Sequence, residues 1–280
     1  MFVDKIMLKV LADAIIIAIP AVIVAIFETR IQPFHLGFFC NDPSIMFPYK
    51  KNETIPGTEM EYYGTLAAML LIVIVEIILL KCDASYDKNS RTLKLLGWEI
   101  PPFIQNLYKF NASLLLLETV NRCISDGIKL TVGKLRPHFI DHCKPVLLDG
   151  TTCADPQNFM KYILDYKCSN EDATTSSLRE IRMSFPSGHA NFSFVTAWFC
   201  VFYLECRLKH KRSKVLKQCV QLVLITTAIY ISLTRITDFK HTYSDVATGV
   251  IGGSLLAYVI CFHVSDFFKK ESNTSCDEEV

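Results

Sequence analysis

Three short stretches of this 280-residue chain bring together residue types that handle phosphate. Lys129 is followed seven positions on by Arg136-Pro137, Pro186-Ser187-Gly188-His189 comes next, and Thr234-Arg235 then precedes His241 and Asp245. Each stretch lies at the edge of an apolar run, so folding would gather three cations, two histidines and a carboxylate at one membrane surface. That set suits a phosphate held by cations and attacked by a nucleophile.

Two cations on one face repel unless an anion or water lies between them. If the helix carrying Lys129 continues to Arg136, the seven-residue separation puts both on one face. Arg brings a planar donor fork that matches phosphate oxygens, and Lys brings a mobile point charge. Taken alone, the two residues could equally mark a span end, where Lys and Arg reach for the interface. Lys134, between them, is read as an ordinary surface cation.

Pro186-Ser187-Gly188-His189 opens an apolar run, and a helix start presents unpaired amides to an anion. Gly188 allows close backbone approach, the Ser187 hydroxyl adds a donor, and His189 is placed to protonate a leaving oxygen. Pro-Ser-Gly by itself also reads as a turn and helix cap. His241 and Asp245, four apart, share a face if helical. The spacing predicts that the Asp245 carboxylate accepts from one ring nitrogen and leaves the other as a nucleophile. Arg235 would fold back onto the same phosphate. A lone His-x3-Asp is more often a surface pair, so the order of all three stretches carries the reading.

The elements that position these groups are apolar. Hydrophobic residues make up 51% of the chain and charged residues 20%, which favours one polytopic membrane domain over soluble domains. The net charge of +1 gives no reason to expect a nucleic-acid partner. Six runs are long enough to span a bilayer, at about 8–27, 62–80, 103–126, 190–206, 217–234 and 245–264. The expected fold is therefore all-α, a bundle of six transmembrane helices over residues 1–267 with an acidic, disordered cytosolic tail at 268–280. The first run is read as an uncleaved anchor, since no small-residue cleavage site follows it clearly. Lys and Arg concentrate in the loops near 81–94 and 207–217, which places those loops and both termini in the cytosol. The three motifs then face the extracytoplasmic side.

Cys40, Cys143, Cys153 and Cys168 fall in the two outer loops, where disulfides are permitted, and three pairings are open. Cys82, Cys206, Cys219 and Cys276 lie toward the cytosolic side and are read as thiols. Asn52-Glu53-Thr54 is a usable glycosylation sequon, whereas those at Asn111, Asn191 and Asn273 are read as chance. Charges inside spans need partners. Glu118 and Arg122 are read as a structural pair, with a role in orienting Lys129 as the alternative, while Asp13 and Glu76 have no assignable partner. Gly249, Gly253 and Ala257 form a small-residue stripe that packs either within one copy or between two copies in a homo-oligomer.

The constellation resembles the type 2 phosphatidate phosphatase superfamily, whose motifs are Lys-x6-Arg-Pro, Pro-Ser-Gly-His and Ser-Arg-x5-His-x3-Asp. A core of about 100–267 would belong to it. Phe39-Cys40-Asn41-Asp42, Arg136-Pro137-His138-Phe139 and Val264-Ser265-Asp266-Phe267-Phe268-Lys269 look like the animal lipid phosphate phosphatases in particular. Thr234 departs from the family's Ser and keeps its hydroxyl. The resemblance implies hydrolysis of lipid phosphate monoesters (phosphatidate, lysophosphatidate, sphingosine 1-phosphate and ceramide 1-phosphate) with no metal or other cofactor. In that scheme His241 is the nucleophile that forms a phosphohistidine, His189 the acid and Asp245 the orienting group. Lys129, Arg136, Ser187, Gly188 and Arg235 hold the phosphate. The protein would sit in the plasma membrane with an extracellular site, or in internal membranes with a lumenal one. Rival readings are a lipid phosphotransferase or diphosphatase of the same superfamily, and a transporter or receptor with charges along a pathway.

Overall fold

Each of the six apolar runs falls inside a helix, and the chain is mostly helical. The structure, a computed structural model, describes residues 5–82, 93–95, 98–208, 214–265 and 267–268. The long helices are α1 (Lys5–Arg30), α2 (Gly57–Cys82) and α3 (Pro102–Val132), then α6 (Gly188–Arg207), α7 (Lys214–Thr237) and α8 (Tyr243–Val259). A π turn at Ile260–Val264 extends α8. Two short helices, α4 (Phe139–Cys143) and α5 (Thr175–Glu180), lie between α3 and α6. The expected tail from Lys269 onward lies outside the described residues, as do Cys276, Asn273 and half of the cations of the two basic loops.

α6 is the centre of the bundle and packs against α2, α3, α7 and α8. Eight consecutive residues, Ala190 to Ala197, are buried, so no side of this helix faces outward over two turns. The opposite holds for α1, α2, α7 and α8, which present Leu11, Ile19, Leu70, Ile74, Leu222 and Leu255 outward. Those four helices, α8 with its π turn, are long and apolar enough to cross a membrane. α3 is more polar, carrying Lys109, Glu118, Arg122, Asp126 and Lys129.

The small-residue stripe on α8 faces α6 of the same chain. A Cβ on Gly249 would stand 2.6 Å from the Ser187 carbonyl oxygen, and one on Gly253 would stand 2.4 Å from that of Asn191. Among the described residues these charges in the bundle find partners, some ionic and some hydroxyl, though not as the sequence suggested. Arg122 binds Asp126 at 2.8 Å, Glu28 at 2.9 Å and also Glu61, while Glu118 accepts from Thr65 at 2.8 Å and Thr196 at 3.2 Å. Glu118 and Arg122 are therefore not partners: four-residue spacing brings the side chains near, but each finds better geometry on another helix. Glu76 takes a two-pronged contact from Arg207 at 2.7 and 2.8 Å, and Asp13 accepts from the Tyr108 hydroxyl at 2.8 Å.

One end of the bundle is capped by the segments between helices. β1 (Phe38–Phe39) pairs with β5 (Tyr162–Ile163), and β4 (Pro145–Leu147) with β6 (Tyr166–Cys168), both antiparallel. β2 (Leu93–Leu95) and β3 (Trp98–Ile100) form a separate hairpin. Phe38, Leu135, Phe139, Ile163, Tyr166 and Ile181 make a small core in the cap. Two disulfides close it, Cys40–Cys153 across 113 residues and Cys143–Cys168 across 25. Of the three open pairings, this is the one formed.

Candidate active site

α3 ends at Val132 because Gly133 takes a left-handed conformation (φ 61°), its amide donating to the Lys129 carbonyl at 3.0 Å. A Cβ there would collide with the Phe34 carbonyl oxygen at 2.1 Å. Arg136 therefore lies on the loop beyond the helix, and the expected two helical turns between Lys129 and Arg136 do not exist. Both residues nonetheless line one cavity of about 960 Å³, together with Gly188, His189, Arg235 and His241. Lys129 is braced by Asp126 at 3.0 Å. The nearest carboxylate to Arg136 is Glu180 at 3.9 Å, and its buried Nε has no hydrogen-bond partner among the described residues. A buried donor left unpaired is costly, and Arg136 has only this distant carboxylate to offset its charge.

Pro186 follows Phe185 through a cis peptide bond, and Ser187 is the N-cap of α6. Its hydroxyl, fully buried, accepts from the Ala190 amide at 3.5 Å and does not line the cavity, which Gly188 and His189 reach. Lys129 Nζ lies 3.1 Å from where a Gly188 Cβ would be, so the bare glycine leaves that cation close against the helix start. His189 Nε2 donates to the Ile55 carbonyl at 3.0 Å. Thr234 does not reach the cavity: its hydroxyl donates to the Ile231 carbonyl at 2.7 Å, as Ser/Thr on helices commonly do.

The buried His241 is held differently from the expected arrangement. Its Nδ1 lies 2.7 Å from the Ser184 carbonyl oxygen and 3.9 Å from the nearer Asp245 oxygen. A carbonyl can only accept, so Nδ1 carries the hydrogen and Nε2 keeps its lone pair. Burial, reinforced by the Arg136 charge, pushes the imidazole well below its usual range, so the ring is neutral. Asp245 acts one step further out. It accepts from the Ser184 hydroxyl at 2.7 Å, the Thr242 amide at 2.9 Å and Lys134 Nζ at 2.7 Å, and it closes a capping box on α8. Lys134 is thus the counter-ion of the buried carboxylate and not the surface cation read from sequence.

Arg235 is 1% exposed, its guanidinium shared between Asp238 at 2.9 Å and Glu53 at 2.8 Å. Glu53 also lies 3.4 Å from Lys240, which is buried and stacked over the Tyr49 ring. Burial raises the Glu53 carboxyl, but the Arg235 hydrogen bond and the Lys240 charge outweigh it and hold the group below its usual range. Sequence reading gave no role to Glu53, Lys240 and Ser184 and misread Lys134. Lys134 and Lys240 lay between motif residues, whereas Glu53 meets Arg235 across 182 positions and leaves no local signal.

The profile of the PAP2 superfamily matches residues 110–269, which hold all three motifs. The chain belongs to the PAP2 superfamily. It is similar to phospholipid phosphatase 1 of Mus musculus (34% identical over 95% of this chain and 88% of that one). Similarity extends to phospholipid phosphatase 1 of Rattus norvegicus (31%, over 96% and 90%) and phospholipid phosphatase 2 of Bos taurus (30%, over 96% and 87%). No solved structure matches the chain. In this PAP2 protein the family's three motifs therefore meet at one cavity wall, with the Ser187 hydroxyl and the Asp245 carboxylate set behind it.

Proposed function

We propose that this protein is an integral membrane phosphatase that hydrolyses lipid phosphate monoesters through a phosphohistidine at His241. The observation that carries the reading is the fixed tautomer of His241, which leaves Nε2 with a lone pair on a cavity lined by Lys129, Arg136 and Arg235. His241 Nε2 attacks phosphorus, the bond from phosphorus to the lipid oxygen breaks, and His189 gives that oxygen a proton. Water then attacks phosphorus, the P–N bond breaks, and the water proton passes to His189. The three cations and the Gly188 amide stabilise charge on the equatorial oxygens, a task a metal performs in other phosphatases. By this reading no metal is required.

A lipid fits the neighbouring space. A second cavity of about 410 Å³ shares Glu61, Arg122, Lys129 and Gly188 with the first, and its further wall is Leu66, Met69, Leu115 and Phe192. The phosphate would sit among the cations and the chain along this apolar wall. The relatives' names point to phospholipid substrates, and by this reading phosphatidate, lysophosphatidate, sphingosine 1-phosphate and ceramide 1-phosphate are the compounds to assay.

For topology, α3 and α6 join the four outward-facing apolar helices as interior spans, giving six. The two disulfides support an oxidising, extracytoplasmic location for the capped end, which is also where the motifs lie. The exposed Asn52 belongs to that end and is the proposed glycan site.

The test is phosphate release from these lipids in detergent micelles with excess chelator, with vanadate as inhibitor. The reading predicts turnover and competitive inhibition that both survive the chelator. Hydrolysis that vanishes with chelator and returns with magnesium would defeat the metal-free mechanism, and no release from any lipid phosphate would defeat the reading as a whole.

A further inference from the structure

The segment between α1 and α2 lies over the catalytic groups, and three of its consecutive residues hold them. Glu53 binds Arg235 at 2.8 Å and approaches Lys240 at 3.4 Å, one carboxylate oxygen on each cation. Thr54 donates its amide and hydroxyl to Asp238 at 2.7 and 2.8 Å, and Asp238 also holds Arg235. Ile55 offers its carbonyl to His189 Nε2 at 3.0 Å. The nitrogen that would protonate the leaving oxygen and a cation that would hold the phosphate are thus both engaged by residues 53–55. Upstream the segment is anchored, Phe47 donating to the Pro137 carbonyl at 2.9 Å and Tyr49 to Asp141 at 2.7 Å.

We propose that Glu53 is a resident anion occupying the substrate's place on Arg235 and Lys240, and that residues 53–55 form a strap which substrate phosphate displaces. The inference rests on the phosphatase reading and adds Lys240 to the phosphate-binding groups. A phosphate presents the same kind of oxygen pair as a carboxylate and carries more charge, so it can take over both cations, while Glu53, left beside it, is repelled. Ile55 leaves His189 when the displacement of Glu53 carries Thr54 off Asp238 as well, so the strap moves as one piece. Substrate entry would then free the acid at the moment its proton is needed. Only an anion strong enough to evict a carboxylate opens the site, which sets a threshold against weakly charged headgroups.

The experiment compares wild type with Glu53→Gln in the same micelles, reading inhibition constants for vanadate and inorganic phosphate and KM for a lipid phosphate. The strap predicts that all three fall in Glu53→Gln, by about 10- to 100-fold, the worth of a charge-assisted hydrogen bond. Unchanged or weaker binding would show that Glu53 only holds Arg235 in place, and would overturn the strap while leaving wild-type turnover intact. Absence of wild-type turnover would overturn the phosphatase reading and the strap with it. If Glu53→Gln does not fold, amide hydrogen exchange over residues 47–56 of the wild type decides: saturating vanadate should speed it, and slower or unchanged exchange contradicts displacement.

Discussion

His241 owes the free lone pair on its Nε2 to a backbone carbonyl and its environment to a carboxylate one step away. Asp245, Ser184 and Lys134 therefore act as one positioning unit. Asp245→Asn and Lys134→Met should each lower kcat by about 10- to 100-fold, the usual cost of an outer-shell partner, with KM little changed. The double variant should lose little more than either single one, since both break the same contact. Additive losses would separate Lys134 from Asp245. His189→Ala should slow alkyl phosphates far more than an aryl phosphate, whose leaving group needs little protonation, and equal losses would remove the acid role. At this scale the sequence singled out six residues that the fold brings to one cavity, Lys129, Arg136, Gly188, His189, Arg235 and His241, because spacing within each motif is local. It mistook contacts: α8 starts at Tyr243 with Thr242 as its N-cap, so His241 lies before the helix and shares no helical face with Asp245, and the Ser184 carbonyl, brought in by the turn before Pro186, takes the ring nitrogen.

Among the elements, α6 carries the site and α8 fixes it. The Asn191 carbonyl would be 2.4 Å from a Cβ at Gly253, so this pair of helices approaches to backbone contact. Gly253→Val should destabilise the protein by about 1–3 kcal/mol or more, the cost of overpacking, and lower both Tm and activity. An unchanged Tm would mean that α8 can tilt away without disturbing His241. The six helices were legible because apolar runs of that length have few alternatives to a helix. The end of α3 was legible in principle from Gly133, a frequent helix terminator, and its oversight put Arg136 on a helix it does not belong to. The cap was not legible, since its strands are only two or three residues long and β1 pairs with β5 across more than a hundred residues.

For the molecule as a whole, acid sensitivity follows from groups buried in the uncharged form. Burial pushes His138 down to about 3 and His241 well below its usual range. The unfolded chain would protonate both near pH 6.5 while the native protein does not, so the unfolded state binds more protons and stability falls as pH drops below about 6.5. Each histidine contributes up to about 1.4 kcal/mol per pH unit in that range. Glu53 and Asp238, held low in the native state, add the same sign from about pH 5 downward. Tm measured in detergent should therefore fall steadily from pH 7 to pH 4. A flat profile would mean that these histidines are protonated in the folded protein.

The proposed mechanism requires a covalent bond between His241 and phosphorus. Rapid quenching of the enzyme with a lipid phosphate labelled on phosphorus should trap label on the protein that survives alkali, is lost in mild acid, and maps to a peptide containing His241. His241→Ala should carry no label and lose at least about 10⁴-fold in turnover, as the loss of a nucleophile does. Label on another residue, or full turnover with no labelled protein at any quench time, would contradict the account.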